Sequence, residues 1–449
     1  MSGRKDDDAV AIQNEASRRG VGKIDASIAS APCDADSVPE LIKDISQAQG
    51  QANLTNGREA RLQLLGKARA LVQALETPRE VMLKHVGAET CSFFSVCLGI
   101  DIGHFKAMAQ NDCSPKKVPE IASAVGFDTD GLQIQLTPYQ GRILRHLEAM
   151  GHIAQTGPDE YAPNNFSKSL TIPIVADGYP FYRDVCIAPM LHLHKWYKTK
   201  SYATPTTGHD NPFTFGNTTA LSMFEYMAAS PTYMEQFNHH MGGYRLGRPA
   251  WFHRSVYPAL PDLLNNVPDI EDPVVLVDIG GNRGHDLENF LASNSWPPNY
   301  SRRSTDAKFI LQDQQAVLDD APSSLDMRIT KMPHDFFTPQ PVHGARAYYL
   351  HHILHDWPDE WCEVIVNQIK GAMKPGYSRL LINEHVIPPK NANWEVTYLD
   401  LYMMTLFGSR ERTEHEWRAL LEEKCGLKII NIYNPGNGVE ALIECEVSV

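Results

Sequence analysis

Between residues 274 and 384 the sequence alternates short, continuously apolar runs with segments of helical character, and this alternation restricts the fold more than any other feature. The apolar runs cover 274–277, 309–312, 347–350 and 379–383. Strands that are apolar on both sides are typical of a parallel sheet whose two faces are covered by helices. We therefore predict an α/β fold with a doubly wound sheet in the C-terminal part of the chain.

Polar residues stand at or just after the ends of these runs. They are Asp278, Asp313, His351 and Glu384. In an open α/β sheet, ligands bind at the carboxyl ends of the strands. We therefore expect these four side chains to border one site.

The first apolar run leads into a glycine turn. Asp278 is followed by Ile-Gly-Gly-Asn-Arg-Gly, with Gly280 and Gly281 close to the strand end. Glycine lets the backbone approach a ligand closely, and the start of the next helix adds positive potential. The dinucleotide fingerprint GxGxxG does not fit, because its later glycine positions would be Asn282 and His285. The turn predicts a nucleotide-like ligand of another kind.

Further motifs follow in a fixed order along the chain. They are Leu311-Gln312-Asp313, His334-Asp335-Phe336-Phe337, His355-Asp356-Trp357, Leu381-Ile382-Asn383-Glu384 and Glu411-Arg412-Thr413. With the glycine turn, this set resembles the small-molecule O-methyltransferases of plants and fungi that use S-adenosylmethionine (SAM). The resemblance implies a Rossmann-like class I methyltransferase domain, preceded by a mainly helical winged-helix domain that forms a homodimer.

The resemblance also implies SAM as the cofactor and a set of residues that bind it. These are Asp278, Gly280, Gly281, Asp313, Asp335, Phe336 and His351. Asp313 matches the acid that binds the ribose hydroxyls, and Asp335 with Phe336 matches the pair that flanks the adenine. His351 stands where many relatives carry Lys or Arg. Asn282 replaces a third glycine, and because asparagine tolerates left-handed backbone, we expect the turn to keep its shape.

His355 matches the general base of the family. A phenol has a pKa of about 10 and a histidine one of about 6.5, so an imidazole can take the proton as it is lost in the transition state. Glu384 and Glu411 match the acids that hold the imidazole in orientation by hydrogen bonding. Asp356 matches an acid adjoining the base, or alternatively braces the helix that starts near Pro358.

The substrate pocket is the part of the site that the sequence constrains least. Asn238, Met241, Met403 and Phe407 are the residues that we expect to line it. The first two lie on a segment that resembles the helix roofing the family's pocket. A packed helix contact without a ligand is the alternative for Met241. The expected acceptor is a hydroxyl of a small aromatic or polyketide-derived metabolite.

Three other functions fit part of the pattern. A methyltransferase-like pericyclase would bind SAM as a fixed charge, but the relatives of that kind tend to replace the catalytic histidine, which is present here as His355. A winged-helix DNA-binding regulator is disfavoured by the net charge of -13. A metal cluster of His351, His352 and His355 lacks the glutamate of zinc proteases, because His352 occupies its position. We therefore expect no metal.

Four segments are expected along the chain. Residues 1–45 are polar and without apolar periodicity, so we predict disorder there. Residues 46–170 form the helical dimerisation and winged-helix domain, with a helix around Pro138 to Met150 and then a small hairpin that turns at Gly157-Pro158. Residues 171–265 form a helical connecting segment that lines the substrate. Residues 266–449 form the SAM-binding catalytic domain.

The composition and the N-terminus bear on location and partners. Hydrophobic residues make up 43% and charged residues 21%, as in ordinary globular proteins. The eight cysteines form no CxxC pair, the N-terminus lacks the apolar core of a secretory signal, and no apolar run reaches about 18 residues. We expect a cytoplasmic protein with reduced thiols. Its expected partners are a small-molecule substrate and a second copy of the chain, with neither nucleic acid nor membrane.

Overall fold

The computed structural model describes residues 24–51, 57–125, 132–265, 273–293, 307–436 and 438–448. The chain divides into two compact units, Met1–Thr171 and Ile172–Val449. Among the described residues, no helix combines the length and the apolar character needed to cross a membrane. The eight cysteines all lie within the described ranges and are free thiols.

Helices and one small sheet form the described part of the first unit. The helices are α1 (Val38–Gln51), α2 (Arg58–Leu75), α3 (Pro78–Leu83), α4 (Thr90–Ile102), α5 (His104–Ala109), α6 (Val118–Ala124), α7 (Leu132–Ala149) and α8 (Asn165–Ser169). The strands are β1 (Lys116–Lys117), β2 (Ile153–Gly157) and β3 (Glu160–Pro163), in the order β1-β3-β2.

α6, α7 and the β2–β3 hairpin correspond to the predicted winged-helix unit. The hairpin is confirmed, because β2 and β3 pair antiparallel with Ile153 opposite Pro163. The apolar pattern of the sequence indicates a helix from about Pro138 to Met150 here. That boundary was wrong, because the helix begins at Leu132. A proline inside a helix removes one backbone donor, and the turn before it can still form.

The N-terminal segment that was predicted to be disordered is covered only in part. Residues 1–23 lie outside the described residues. After them, a 3-10 turn covers Ala26–Ser30, and the Asp25 side chain accepts a hydrogen bond from the amide of Ser27 at 2.8 Å. Regular structure is therefore present before residue 46.

The second unit contains the larger number of helices and the main sheet. Its helices are α9 (Pro173–Ala176), α10 (Gly178–Phe181), α11 (Ile187–Thr199), α12 (Pro212–Gly216), α13 (Met223–Ala228), α14 (Pro231–Tyr244), α15 (Leu260–Asn265), α16 (His285–Ala292), α17 (Gln315–Asp319), α18 (Asp359–Lys370), α19 (Trp394–Phe407) and α20 (Glu414–Arg418). Its strands are β4 (Val274–Ile279), β5 (Lys308–Asp313), β6 (Ile329–Pro333), β7 (Ala347–His351), β8 (Arg379–Glu384), β9 (Val386–Ile387), β10 (Arg412–Thr413), β11 (Lys428–Tyr433) and β12 (Ala441–Glu446).

The main sheet has seven strands in the order β11-β12-β8-β7-β4-β5-β6. Strands β4 to β8 pair in parallel, which confirms the predicted doubly wound sheet. β12 pairs antiparallel with β8, and β11 pairs antiparallel with β12. β9 and β10 form a separate parallel pair. The carboxyl ends of β4, β5, β7 and β8 carry the residues that the sequence singled out.

The sheet is covered on both faces, and this explains why its strands are apolar throughout. Val277 and Ile382 belong to one buried cluster, whereas their neighbours Leu276 and Leu381 belong to another. Successive strand residues point to opposite faces of a sheet. An alternation of apolar and polar residues is therefore absent from these central strands.

Candidate active site

His355 lies on a single 3-10 turn, Leu354–Asp356, that follows β7. The turn is fixed by Glu384, the last residue of the neighbouring strand β8. Oε1 of Glu384 accepts hydrogen bonds from the backbone amides of Ile353 at 2.9 Å and Leu354 at 2.8 Å. Its second oxygen, Oε2, lies 3.8 Å from Nδ1 of His355. Glu384 therefore positions the backbone of the turn as well as facing the ring.

Glu411 holds the imidazole of His355 directly. Its Oε1 lies 2.7 Å from Nδ1 of His355, and both side chains are buried. Nε2 of His355 lies 3.5 Å from Oδ1 of Asp356. The structure thus brings together the histidine and the three acids that the sequence placed in the catalytic site.

Two further residues fix the backbone around His355, and the sequence analysis gave neither of them a role. The hydroxyl of Ser409 lies 2.9 Å from the carbonyl oxygen of Trp357 and also donates to that of His355. The guanidinium of Arg412 donates to the carbonyl oxygens of Leu354 at 3.0 Å and Trp357 at 2.9 Å. The sequence offers their position as a signal, because Arg412 directly follows Glu411 and Ser409 lies two residues before it.

The carboxylates around His355 determine its protonation. Burial alone would lower the pKa of His355, but the carboxylates of Glu384, Glu411 and Asp356 raise it to about 10. Burial in turn raises the pKa of Glu384 to about 7 and that of Asp356 to about 6. At neutral pH the uncharged imidazole is therefore the minor form, and its share increases as the pH rises.

His352 is a second buried histidine against His355. Its ring centroid lies 4.7 Å from that of His355, and its Nε2 lies 3.3 Å from Oε1 of Glu440. The backbone of His352 has a φ of 53°, in the left-handed region that non-glycine residues rarely adopt. The chain thus holds this imidazole in place despite an unfavourable backbone conformation.

The glycine turn after β4 is packed so closely that side chains would not fit. A Cβ atom on Gly280 would lie 2.6 Å from Cδ1 of Ile353, and one on Gly281 would lie 2.5 Å from Cδ1 of Leu311. Gly280 has a φ of 70° and Asn282 one of 52°. The expectation that Asn282 keeps the left-handed turn is confirmed.

Asp313 at the end of β5 is tied to that turn. Its Oδ2 accepts a hydrogen bond from the amide of Asn282 at 2.8 Å, and its Oδ1 accepts one from the amide of Gln314 at 2.7 Å. Burial raises the pKa of Asp313, whereas these two hydrogen bonds lower it. The carboxylate is therefore held at the edge of the glycine turn with lone pairs left for hydroxyl donors.

Asp278 and His351 lie beside the turn in a network with Asp286, the second residue of α16. Nδ1 of His351 lies 2.7 Å from Oδ2 of Asp286, and Arg245 forms an ion pair with Asp286. Burial raises the pKa of Asp278 well above its usual range. Within the described part of the chain, Oδ2 of Asp278 and Nε2 of His351 are buried and have no hydrogen-bond partner. The sequence analysis missed Arg245 and Asp286.

Phe336 lies next to the glycine turn, as its motif implies. Its ring would come within 3.9 Å of a Cβ on Gly280, and its centroid lies 6.1 Å from that of Trp357. Asp335 makes a local contact, in which its Oδ1 accepts from the amide of Phe337 at 3.0 Å. The adenine-flanking role of both residues stays a prediction.

The four expected substrate residues divide into two groups. Met403 and Phe407 on α19 are buried in an apolar cluster, and the ring of Phe407 lies 5.2 Å from that of Phe224. Asn238 and Met241 on α14 are only half-buried. Their place against a substrate stays a prediction.

An aromatic group that the sequence analysis did not assemble surrounds α14. The ring centroid of Tyr182 lies 5.1 Å from those of His240 and Tyr402. Burial lowers the pKa of His240 to about 4, so its ring is neutral. At the end of α14, the hydroxyl of Tyr244 lies 3.2 Å from Nε2 of His385. This aromatic group therefore reaches the histidines around the 3-10 turn Leu354–Asp356, called the catalytic turn below.

The sequence matches a family model for an O-methyltransferase domain over residues 203–426. The "O-methyltransferase mpaG" of Penicillium brevicompactum is 31% identical over 417 residues, which cover 92% of this chain and 100% of the relative. The chain belongs to the O-methyltransferase family. The "Demethylsterigmatocystin 6-O-methyltransferase" of Aspergillus parasiticus is 34% identical over 334 residues, which cover 74% of this chain and 79% of that relative.

Two solved structures share the fold of this chain over most of its length. The structure titled "A Pericyclic Reaction enzyme" is 27% identical, with a TM-score of 0.79, and the match covers 92% of this chain and 100% of that one. "The structure of LepI complex with SAM" is also 27% identical, with a TM-score of 0.78 and the same coverage. The O-methyltransferase family uses SAM, and this chain is a SAM-dependent methyltransferase.

The residues around the glycine turn fit SAM. The Asp313 carboxylate can accept hydrogen bonds from ribose hydroxyls at the carboxyl end of β5, where an open α/β sheet binds its ligands. The unpaired Nε2 of His351 and Oδ2 of Asp278 are buried polar atoms available to the polar groups of the cofactor. The local geometry at the glycine turn is therefore compatible with the cofactor that the O-methyltransferase family uses.

Proposed function

We propose that the protein transfers a methyl group from SAM to a hydroxyl of a small aromatic or polyketide-derived secondary metabolite, with His355 as the general base. The observation that carries this proposal is the 2.7 Å contact between Nδ1 of His355 and Oε1 of Glu411. Glu384 fixes the turn that carries His355 by accepting hydrogen bonds from its backbone amides. This arrangement leaves Nε2 as the ring atom that can take a proton from an acceptor.

The side chains in this site hold and move a proton. Glu411 accepts the hydrogen bond from Nδ1–H, so Nε2 of the neutral His355 carries the free lone pair. As the substrate hydroxyl reacts, Nε2 takes its proton, and the neighbouring carboxylates stabilise the resulting imidazolium. When bound, SAM supplies the methyl group on a positively charged sulfonium. Positioning of the acceptor by the protein contributes much of the remaining acceleration.

An aromatic acceptor is supported by the side chains around α14. The ring of Tyr182 packs edge to face against two others. The interplanar angle is 89° with Tyr402 and 81° with His240. Such side chains favour flat, apolar ligands that carry a few polar groups. The Aspergillus parasiticus relative is named as an O-methyltransferase, which agrees with a hydroxyl as the acceptor group.

A SAM-binding pericyclase is the second candidate, because a structure titled as a pericyclic reaction enzyme matches 92% of this chain. In that function SAM is bound as a fixed positive charge, no methyl group is transferred, and His355 takes no proton from the substrate. A protonated His355, whose pKa is about 10, adds a second positive charge at neutral pH. The intact set of His355, Glu384 and Glu411 favours methyl transfer.

A methyl-labelling experiment distinguishes the two functions. The purified protein is incubated with SAM labelled in its methyl group and with a panel of phenols, and products are identified by mass spectrometry. We expect a labelled methyl ether and one S-adenosylhomocysteine for each product. Conversion of a substrate without any S-adenosylhomocysteine would reject methyl transfer and support the pericyclase.

We also propose that the protein is a homodimer formed through its first unit. Apolar side chains on the segment from α3 to α7 are exposed, including Val86 at 70%, Phe94 at 44% and Tyr139 at 47%. Clusters of exposed apolar side chains on a protein surface commonly mark an interface. A second copy of the chain is the partner that the family resemblance implies.

A further inference from the structure

Two imidazole nitrogens and one carboxylate oxygen from three different residues lie within 4 Å of one another at the catalytic turn. Nδ1 of His352 lies 3.5 Å from Nδ1 of His355. Oε2 of Glu384 lies 3.7 Å from Nδ1 of His352 and 3.8 Å from Nδ1 of His355. All three side chains are buried, at 5%, 7% and 0% exposure.

These separations are those of ligands around one metal ion. A point equidistant from three atoms so spaced lies about 2.1 Å from each, within the bond lengths that Zn²⁺ makes to histidine nitrogen and carboxylate oxygen. Two imidazoles and one carboxylate are also a common ligand set for zinc in proteins. The three ligand atoms therefore already lie at suitable separations, and an ion would replace Glu411 as the partner of Nδ1 of His355.

The surroundings of the three ligands are those expected of a metal site. A metal-binding histidine usually donates its other ring nitrogen to a carboxylate. Nε2 of His352 faces Glu440 at 3.3 Å, and Nε2 of His355 faces Asp356 at 3.5 Å. The Nδ1 atoms of both rings thus border the common point, and a carboxylate faces each Nε2. Nδ1 of His355 is also engaged by Oε1 of Glu411 at 2.7 Å.

Glu384 gives an independent indication of a missing partner. Its Oε1 is occupied by the backbone amides of the catalytic turn, and its Oε2 is buried with no hydrogen-bond partner among the described residues. A buried, unpaired carboxylate oxygen costs free energy. A cation between Glu384 and the two histidines would remove this cost.

We propose that His352, His355 and Glu384 form a binding site for Zn²⁺ or a similar divalent transition-metal ion, and that its occupation inhibits the enzyme. Imidazole nitrogens suit ions of this class, whereas Mg²⁺ and Ca²⁺ prefer oxygen ligands alone. Glu440 and Asp356 act as the outer carboxylates of the site.

Inhibition follows from which nitrogen of His355 the ion occupies. A neutral imidazole carries one proton, so an ion on Nδ1 leaves that proton on Nε2. Nε2 then has no lone pair for the proton of a substrate hydroxyl. The ion also competes with the hydrogen bond from Nδ1 to Glu411. Inhibition rests on the proposed role of His355 as base, but binding of the ion does not.

Titration calorimetry with ZnCl₂ tests the site in the full-length protein. We expect one tight site in the wild type and at least tenfold weaker binding in His352→Gln, because Gln keeps a group near Glu440 but loses Nδ1. His385→Gln is the matched control, since this buried histidine lies 5.4 Å from His352 by ring centroids and contributes no atom to the site. Its affinity should equal that of the wild type. Equal affinity in His352→Gln, or equal losses in both variants, would overturn the proposal.

X-ray absorption of the zinc-loaded wild type gives a test that needs no variant. We expect a first shell of nitrogen and oxygen at about 2.0–2.2 Å with the outer-shell signal of two imidazoles. Sulfur in the first shell would place the ion on cysteines such as Cys33 or Cys91, which are exposed, and would reject the site.

The inhibitory consequence is measured separately. Added ZnCl₂ should inhibit methyl transfer by the wild type, a chelator should restore it, and His352→Gln should need at least tenfold more zinc. Zinc binding with the expected ligands but no effect on turnover would overturn the inhibitory part. If the wild type shows no methyl transfer to any acceptor even in chelator, the proposed function fails while the metal site stands on calorimetry and absorption.

Discussion

Nδ1 of His355 lies 2.7 Å from Oε1 of Glu411, both side chains are buried, and this contact determines which ring nitrogen can act as a base. The contact depends on long-range folding, because His355 follows β7 and Glu411 precedes β10. The glycine turn is held separately, by the hydrogen bond from the amide of Asn282 to Asp313. Removing His355 should therefore affect proton transfer and leave the glycine turn in place.

Replacing His355 with Ala should lower kcat for methyl transfer by about a hundredfold or more, because general-base assistance contributes about 10²–10⁴. SAM affinity should stay within about twofold, since the polar contacts of the His355 ring among the described residues go to His352, Asp356, Glu384 and Glu411 and not to Asp313 or the glycine turn. Turnover is measured as S-adenosylhomocysteine release, and affinity by calorimetry. His343→Ala, an exposed histidine, is the control. Full activity in His355→Ala would remove this residue from the mechanism.

Glu411 and His355 should behave as one catalytic unit. Glu411→Gln alone should lower kcat less than His355→Ala, because Glu411 orients the ring and does not take the substrate proton. Adding Glu411→Gln to His355→Ala should cause little further loss, since residues that act together are non-additive. Measurement of kcat for the two single variants and the double variant tests this. Multiplicative losses would show that Glu411 acts independently.

The pH dependence of kcat/KM should reveal the carboxylates around His355. Because the base is active only when neutral and the pKa of His355 is about 10, kcat/KM should rise with pH from neutral towards 10. Glu384→Gln removes a negative charge that raises this pKa, so the rising limb should move to lower pH. Glu360→Gln, an exposed acid on α18, should leave the limb in place. A rate that falls as His355 deprotonates would instead support a role as a fixed cation.

The sequence contained enough information for the parallel sheet and for the order of the polar residues at its edge. Strands β4, β5, β7 and β8 are buried on both faces, so their apolar runs are continuous and easily recognised. β6 is an edge strand with largely exposed side chains, and β12 includes Glu444 and Glu446, so neither shows such a run. Both were missed for this physical reason.

The site shows the same division between local and long-range information. Motifs identified His355, Glu384 and Glu411 because their spacing resembles a family pattern. Arg412 and His352 act through backbone carbonyls and a buried ion-pair network, and such contacts leave no local pattern in a sequence. A left-handed backbone at His352 is likewise visible only in the folded chain.

The proposed homodimer predicts a measurable change of mass. Phe94 is 44% exposed on α4 of the first unit. Placing a charge at a buried interface is unfavourable, so Phe94→Asp should shift the protein from dimer to monomer in light scattering at micromolar concentration. Met327→Asp, at a residue that is 97% exposed in the second unit, should remain dimeric. A monomeric wild type would reject this interface.

Asp313 should determine SAM affinity through the ribose and through the turn itself. Its carboxylate already accepts hydrogen bonds from the amides of Asn282 and Gln314, so Asp313→Ala removes both a ligand contact and a support of the turn. A hydrogen bond to a charged group contributes about 1.5–3 kcal/mol, so the Kd for SAM should increase more than tenfold.

Asp313→Asn separates these two contributions of Asp313. The amide oxygen of Asn can still accept from one backbone amide, but its NH₂ group cannot accept from a ribose hydroxyl. Its Kd should therefore lie between those of the wild type and Asp313→Ala. Asp320→Ala, an exposed acid just beyond α17, is the control for the loss of a negative charge nearby. Unchanged SAM affinity in Asp313→Ala by calorimetry would place the ribose elsewhere, and the glycine turn would then need another acceptor at its edge.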